Sequence, residues 1–136
     1  MKKKSSDRGL LHIARANIKE AKRNIKENDE VYVNFAMFNI SQAIEKILKF
    51  LCSCHDIDYD YSHFLFNIAD KLIEKDVRLP QLVKDSLNDY GMWSTRTRYT
   101  AEQLAMRSYV EKHIDCAEEW LISVEKQMGF EAKIDF

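Results

Sequence analysis

Glycine and proline are scarce in this sequence, with three glycines and one proline among 136 residues. An all-β domain, which needs a turn about every ten residues, is hard to build from so few turn-forming residues. The glycine-rich loops that bind phosphate in many nucleotide-binding folds are absent as well. No run of about 18 apolar residues could form a transmembrane helix, and the basic start MKKKSSDRG lacks the apolar segment of a secretory signal. We therefore expect a cytoplasmic protein that does not associate with membranes.

The three cysteines, Cys52, Cys54 and Cys116, are an odd number without the spacing of a disulfide framework, so we expect reduced thiols. Cys52, Cys54 and His55, with His63 close behind, could suggest a metal site, but the second pair of ligands typical of zinc sites is missing. The G-x-S-x-G pattern of serine hydrolases is absent too. We expect neither a metal nor a cofactor.

The composition is 46% hydrophobic and 32% charged residues, which is typical of a single globular domain at this length. The net charge of −1 conceals an asymmetry along the chain. Residues 1–27 have nine Lys and Arg against three Asp and Glu, whereas residues 111–136 have three against seven. This distribution indicates one surface that attracts anions and another that repels them.

Apolar residues recur at helical spacing through nearly the whole chain. The pattern predicts a first helix over residues 10–25, a central helix from an Asp29 N-cap to about Ser53, and a third helix from Ser62 through Lys75. Apolar residues cover most of the circumference of the central helix, which predicts that it packs against neighbours on several sides.

A short helix is predicted from Pro80 to about Tyr90, with Gly91 as its C-terminal stop. The capping-box residues Thr100 and Gln103 predict the start of the last helix. The sequence thus predicts an all-α, up-and-down bundle of four long helices plus one short helix over residues 9–128, between a basic tail (1–8) and a C-terminal tail (129–136). The last helix has an apolar stripe longer than a monomeric bundle needs, formed by Val110, Ile114, Ala117, Leu121, Val124 and Met128.

Three polar sets could carry function. In the segment GMWSTRTRY (91–99), Arg96, Arg98 and Tyr99 could bind a phosphate and stack on a base. Alternatively, Arg98 anchors this segment by an ion pair while Tyr99 packs in the core.

The second set is a cationic row on the first helix, which suits the tracking of phosphates or simply a solvated surface. It is formed by Arg15, Lys19, Lys22 and Lys26.

The third set is a polar strip on the central helix, formed by Gln42, Glu45, Lys46 and Lys49. Spacings of three and four residues bring these side chains together. They either line a cleft or form an internal Glu45–Lys49 pair.

The runs FAMFNISQAIEKILKFL (35–51), YSHFLFNIADKL (61–72) and RYT (98–100) together resemble the HEPN family, in this order along a helical chain. The resemblance implies a helical bundle of four or five helices that commonly forms a homodimer, with a cleft near the dimer interface. It also implies a minimal nucleotidyltransferase as partner in a toxin–antitoxin pair. Thr100 stands where a proline often follows the Arg-Tyr pair. The resemblance covers roughly residues 10–125, and the positions that define the expected ligand site are Arg96, Arg98, Tyr99, His63, Gln42, Lys46 and Lys49.

In the family that the chain resembles, a subset of members are metal-independent ribonucleases with an Arg-x(4–6)-His motif. One pair here, Arg107 and His113, has that spacing. About 0.6 such pairs are expected by chance in this composition. Six helical steps also rotate the two side chains by about 240°. Ser108 replaces the Asn that often follows the motif's Arg. The alternative is that His113 packs beside Tyr109, Cys116 and Trp120.

The functional hypothesis is a nucleotide- or RNA-binding HEPN-type module, homodimeric, acting with a nucleotidyltransferase-like partner in a toxin–antitoxin-like system. A first alternative is an endoribonuclease toxin that uses Arg107 and His113. A second alternative is a non-catalytic adaptor whose basic rows bind an acidic protein.

Overall fold

The computed structural model describes residues 8–59, 65–95, 105–130 and 136, and the regular structure of these residues is entirely helical. The count of four long helices plus one short helix is not confirmed, because six helices are present in the described part of the chain. They are α1 (Arg8–Asn24), α2 (Glu30–Cys54), α3 (Leu65–Glu74), α4 (Gln81–Asp85), α5 (Leu87–Thr95) and α6 (Arg107–Gln127).

Helix α2 is the centre of the bundle, as its broad apolar surface predicts. It contacts α1, α3, α5 and α6. The predicted N-cap is confirmed: the Asp29 side chain accepts a hydrogen bond from the Val31 N–H at 3.0 Å. This bond satisfies one of the amide groups that a helix start leaves without an intrahelical partner.

Helix α1 packs against α2 through a stripe of small and branched residues, with Ala14, Ile18 and Ala21 fully buried. Burial of a side chain such as Ile18 contributes about 2 kcal/mol relative to exposure. The predicted apolar stripe of α6 is also buried in this same core. Its six residues therefore serve the chain's own bundle, and they do not form a surface left over for a dimer.

The prediction of a short helix that stops at Gly91 is wrong. The chain forms α4, breaks at Ser86, and continues as α5 through Gly91 to Thr95. Within α5, Tyr90, Trp93 and Ser94 are buried at helical spacing. Their burial outweighs the helix penalty of a glycine, which is about 1 kcal/mol.

The last helix begins later than predicted. Ala105 and Met106 are not helical, and Met106 is the extended N-cap of α6. The predicted capping residues Thr100 and Gln103 lie outside the described residues, as do Ser62 and His63 at the predicted start of the third helix.

Three helices end in the same local structure, with a residue of positive φ after the last turn. These residues are Asp56 after α2, Asp76 after α3 and Gly129 after α6, with φ values of 54°, 61° and 72°. In each case the next N–H donates to the carbonyl five residues earlier, as from Val77 to the Leu72 carbonyl at 3.0 Å. This is the Schellman arrangement, in which glycine is the usual residue. No helix in the described part of the chain is long and apolar enough to cross a bilayer.

Candidate functional site

The polar strip of α2 (Gln42, Glu45, Lys46 and Lys49) forms one connected cluster. Lys46 Nζ donates to Glu45 Oε2 at 3.1 Å and to Gln42 Oε1 at 3.3 Å. Lys49 Nζ lies 3.7 Å from Glu45 Oε2. The internal Glu45–Lys49 pair that the spacing allowed is therefore present, and Lys46 is a second partner of the same carboxylate.

Burial makes this cluster unusual. The Glu45 side chain is 2% exposed, and those of Lys46 and Lys49 are 20% and 11% exposed. A buried carboxylate needs a cationic partner to avoid a large desolvation cost. One lysine would be enough to neutralise the Glu45 carboxylate. The second lysine therefore leaves the three side chains with a net charge of +1. Lys49 Nζ also lies 5.7 Å from the centre of the Tyr59 ring, at the edge of the cluster.

The strip continues into an exposed apolar surface on the same side of α2. At 100° per residue, Val31 and Phe35 lie within about 60° of Gln42, Lys46 and Lys49 around the helix axis. Val31, Tyr32 and Phe35 are 36–39% exposed, and the Tyr32 and Phe35 rings meet edge to face at 5.5 Å. One side of α2 thus presents an apolar aromatic half and a cationic half.

The cationic row of α1 is divided between two roles. Arg15 forms an ion pair with Glu125, and Lys22 forms one with Glu118 at 3.0 Å, so both reach across to α6. Lys19 and Lys26 are exposed. Because two of the four cations are paired with α6, the row does not form a continuous cationic surface that could track phosphates.

The aromatic residue Phe136 lies beside the same two cations of α1. The Arg15 guanidinium lies 4.4 Å and Lys22 Nζ lies 5.5 Å from the centre of its ring. The basic α1 and the acidic α6 thus satisfy part of each other's charge, which accounts for some of the asymmetry seen in the sequence.

Arg107 connects the start of α6 to the turn between α1 and α2. Its guanidinium donates to the Ile25 carbonyl, to the Glu27 carbonyl at 2.9 Å and to Glu30 Oε1 at 3.4 Å. These contacts hold the start of α6 against the turn between α1 and α2. None of these three contacts of Arg107 involves His113.

His113 is fully buried between α5 and α6. A hydrogen bond of 2.7 Å joins its Nδ1 to the Tyr90 hydroxyl, and the Tyr109 ring lies 4.3 Å from the imidazole centre. Desolvation lowers the pKa of His113 from 6.5 to about 4, against the opposing field of Asp89. The imidazole is therefore neutral at pH 7. Its packing against Tyr109 agrees with the non-catalytic alternative for this residue.

Sequence reasoning missed the polar network around His113. Tyr109 donates to Asp89 Oδ2 at 2.5 Å, and desolvation is the main cause that raises the pKa of Tyr109 to about 12. The partners are 20 and 23 residues apart, so helical spacing gives no signal for them. The one local hint was the spacing of four residues between Tyr109 and His113, which puts the two rings on one face of α6.

Four of the predicted ligand residues, His63, Arg96, Arg98 and Tyr99, lie outside the described residues. Of the expected ligand set, the structure brings together Gln42, Lys46 and Lys49. Cys52 and Cys54 are buried, and desolvation raises the pKa of the Cys52 thiol to about 11, which makes it a poor nucleophile at neutral pH. Among the described residues, no three His, Cys, Asp or Glu side chains are grouped to hold a metal ion.

Comparison with known proteins adds one finding to this geometry. Searches of curated proteins and of solved structures give no match. A family model described as the HEPN domain matches residues 8–127. HEPN domains are generally concerned with RNA, as nucleases or as binding proteins. The match spans nearly the whole chain, from the start of α1 to the end of α6, and the chain therefore belongs to the HEPN domain family.

Proposed function

We propose that this HEPN domain binds a nucleotide or RNA, and that the polar strip of α2 receives the phosphate. The observation that carries the proposal is the excess of cationic charge in a half-buried place: Lys46 and Lys49 both approach Glu45. An anion that enters there meets two ammonium groups at lower dielectric than in bulk water, so the attraction is stronger than on an open surface. Tyr59 beside Lys49 offers a ring on which a base can stack.

The proposal includes an assembly. The apolar half of the same α2 side, formed by Val31, Tyr32 and Phe35, supports contact with a second copy of the chain next to the phosphate site. The nucleotidyltransferase-like partner and the toxin–antitoxin-like setting remain part of the proposal on the strength of the family membership. Co-expression with the product of a neighbouring nucleotidyltransferase gene, followed by copurification, tests that part.

The phosphate site is tested by titrating a fluorescent single-stranded oligoribonucleotide, and ATP as competitor, into the wild-type protein and its variants. Lys46→Gln and Lys49→Gln should each weaken binding by about 10- to 100-fold, the range for a lost charged hydrogen bond. Each should also reduce the slope of log affinity against log salt by about one. Lys84→Gln, which removes an exposed lysine of α4, is the matched control and should change neither quantity.

Glu45→Gln separates ligand binding from a purely structural ion cluster. The amide keeps the shape of the carboxylate but releases both lysines from its charge, so RNA affinity should rise. If Lys46, Lys49 and Glu45 serve folding alone, these variants change the melting temperature and leave RNA affinity at the wild-type value, which contradicts the proposal. The RNA should also stay intact during the titration without metal. Cleavage that disappears in His113→Ala would support the ribonuclease in place of the binding module.

A further inference from the structure

A groove lies on the other side of the molecule from the polar strip. It runs between α6 and the chain from Asp76 to Gln81, and it encloses about 620 Å³. On α6 the lining positions recur at helical spacing from Cys116 to Gln127. Leu51, also a lining residue, is nearly opposite Lys49 around the α2 axis. The groove is therefore separate from the proposed phosphate site.

The floor of this α6 groove is apolar. Leu51, Leu79, Trp120 and Val124 form it, and each is at most 6% exposed, so these side chains are already ordered by the bundle. A volume of several hundred Å³ over a fixed apolar floor is typical of a site for a small molecule. Part of the Trp120 indole lines this floor, and aromatic contact there favours a planar ligand.

The polar groups of the α6 groove are mostly uncharged. Gln81, Ser123 and Gln127 line it and are exposed, so their amide and hydroxyl groups can both donate and accept hydrogen bonds. His55 also lines it, and desolvation, with the charge of Lys75, lowers the pKa of His55 below 6.5. Both effects favour the neutral imidazole.

The charged lining residues disfavour an anion. Asp76 and Glu119 are two carboxylates against the single guanidinium of Arg78. A phosphate or carboxylate ligand would meet net repulsion here, whereas an uncharged ring system would not. This is the opposite of the polar strip of α2, where cations are in excess.

From the apolar floor, the amide-rich rim and the negative balance of charge, we propose that the α6 groove binds an uncharged planar heteroaromatic molecule with a hydrogen-bonding edge, of the size of a nucleoside. The ring lies on Trp120, and the hydrogen-bonding edge faces Gln81 and Gln127. The missing phosphate is what distinguishes this ligand from the one proposed for α2.

Adenosine and AMP test the proposal, because they share one ring and differ by the phosphate. Each is titrated into the ¹⁵N-labelled protein, and amide chemical shifts are followed. Adenosine should give saturable shifts in residues 76–81 and 116–127, and AMP should bind there more weakly, by about tenfold. The proposal is overturned if adenosine produces no saturable shifts in these segments at millimolar concentration, or if AMP binds them more tightly than adenosine.

Four variants complete the test. Ser123→Phe fills the α6 groove from an exposed position, so it should abolish the adenosine shifts without affecting folding. Ser108→Phe, at an exposed position in the first turn of the same helix, is the matched control and should leave them unchanged. Glu119→Lys should narrow the gap between AMP and adenosine. Equal adenosine binding in wild type and Ser123→Phe contradicts the proposal, and Lys46→Gln should not move these shifts even if RNA binding at α2 is lost.

Discussion

Glu45 and His113 are ionisable side chains buried in the same bundle, and the chain accommodates them in opposite ways. Glu45 has two lysines within 4 Å and keeps its charge partnered. His113 has a tyrosine hydroxyl and an aromatic ring beside it, which favour the neutral imidazole. The first arrangement could be foreseen, because its partners lie one and four residues away on one helix. The second could be foreseen only in part, because Tyr109 lies four residues before His113 on α6 whereas Tyr90 comes from α5.

The burial of His113 predicts a pH-dependent stability. The pKa is about 4 in the folded protein and ordinarily 6.5, so the unfolded chain takes up the proton first as pH falls. The contribution of the neutral His113 to the free energy of unfolding is fully present above pH 6.5 and is lost between pH 6.5 and pH 4. It amounts to roughly 3 kcal/mol. Urea unfolding across this pH range measures it.

His113→Gln is the control for that measurement, because the amide can bond to Tyr90 and does not titrate. As pH falls, the free energy of unfolding of the wild type should decrease relative to that of the variant, since only the wild type loses this stabilisation. Parallel curves for the two proteins would show that His113 is not buried as a neutral imidazole.

The sequence predicted a helix boundary correctly where the neighbouring residues alone determine it. The Asp29 N-cap lies next to the helix that it begins, and it was found from sequence. The prediction at Gly91 was wrong because its local preference to end a helix competes with the burial of Tyr90 and Trp93, which depends on α2 and α3 being in place. The contacts of Arg15 with Glu125 could not be foreseen either, because 110 residues separate them.

The end of α3 offers a test at this scale. Asp76 has a φ of 61°, a conformation that costs an L-residue more than glycine, and its carboxylate lies at the negative end of the helix dipole. Asp76→Gly should therefore raise the free energy of unfolding by about 0.5–1 kcal/mol, even after the greater freedom of glycine in the unfolded chain. Thermal unfolding measures the change. Asp76→Ala is the control: alanine removes the charge but keeps the backbone cost, and a stabilisation equal to that of glycine would contradict the conformational explanation.

In the folded chain, the charge asymmetry of the sequence has two parts. One part is satisfied internally, where Arg15 and Lys22 of α1 meet carboxylates of α6. The other part remains on the surface of α1, where Lys19 and Lys26 are exposed. The sequence could indicate that a cationic surface exists. The location of this surface could not be predicted, because the packing of α1 against α6 determines which cations pair with carboxylates and which stay exposed.

The exposed apolar residues of α2 lead to the prediction about assembly. The stripe of α6 is buried in the chain's own core, so a dimer must use another surface, and Val31, Tyr32 and Phe35 form one at 36–39% exposure. Sedimentation at micromolar concentration should give twice the 16.1 kDa chain mass. Phe35→Glu should place a charge in the interface and yield the monomer, and it should lower the free energy of unfolding of the single chain by about 1–2 kcal/mol because Phe35 is only 36% exposed there. Ile13→Glu, which changes an exposed apolar residue of α1, should leave the dimer intact. A wild-type mass near 16.1 kDa would contradict the dimer, and a Phe35→Glu protein that stays dimeric would show that another surface forms it.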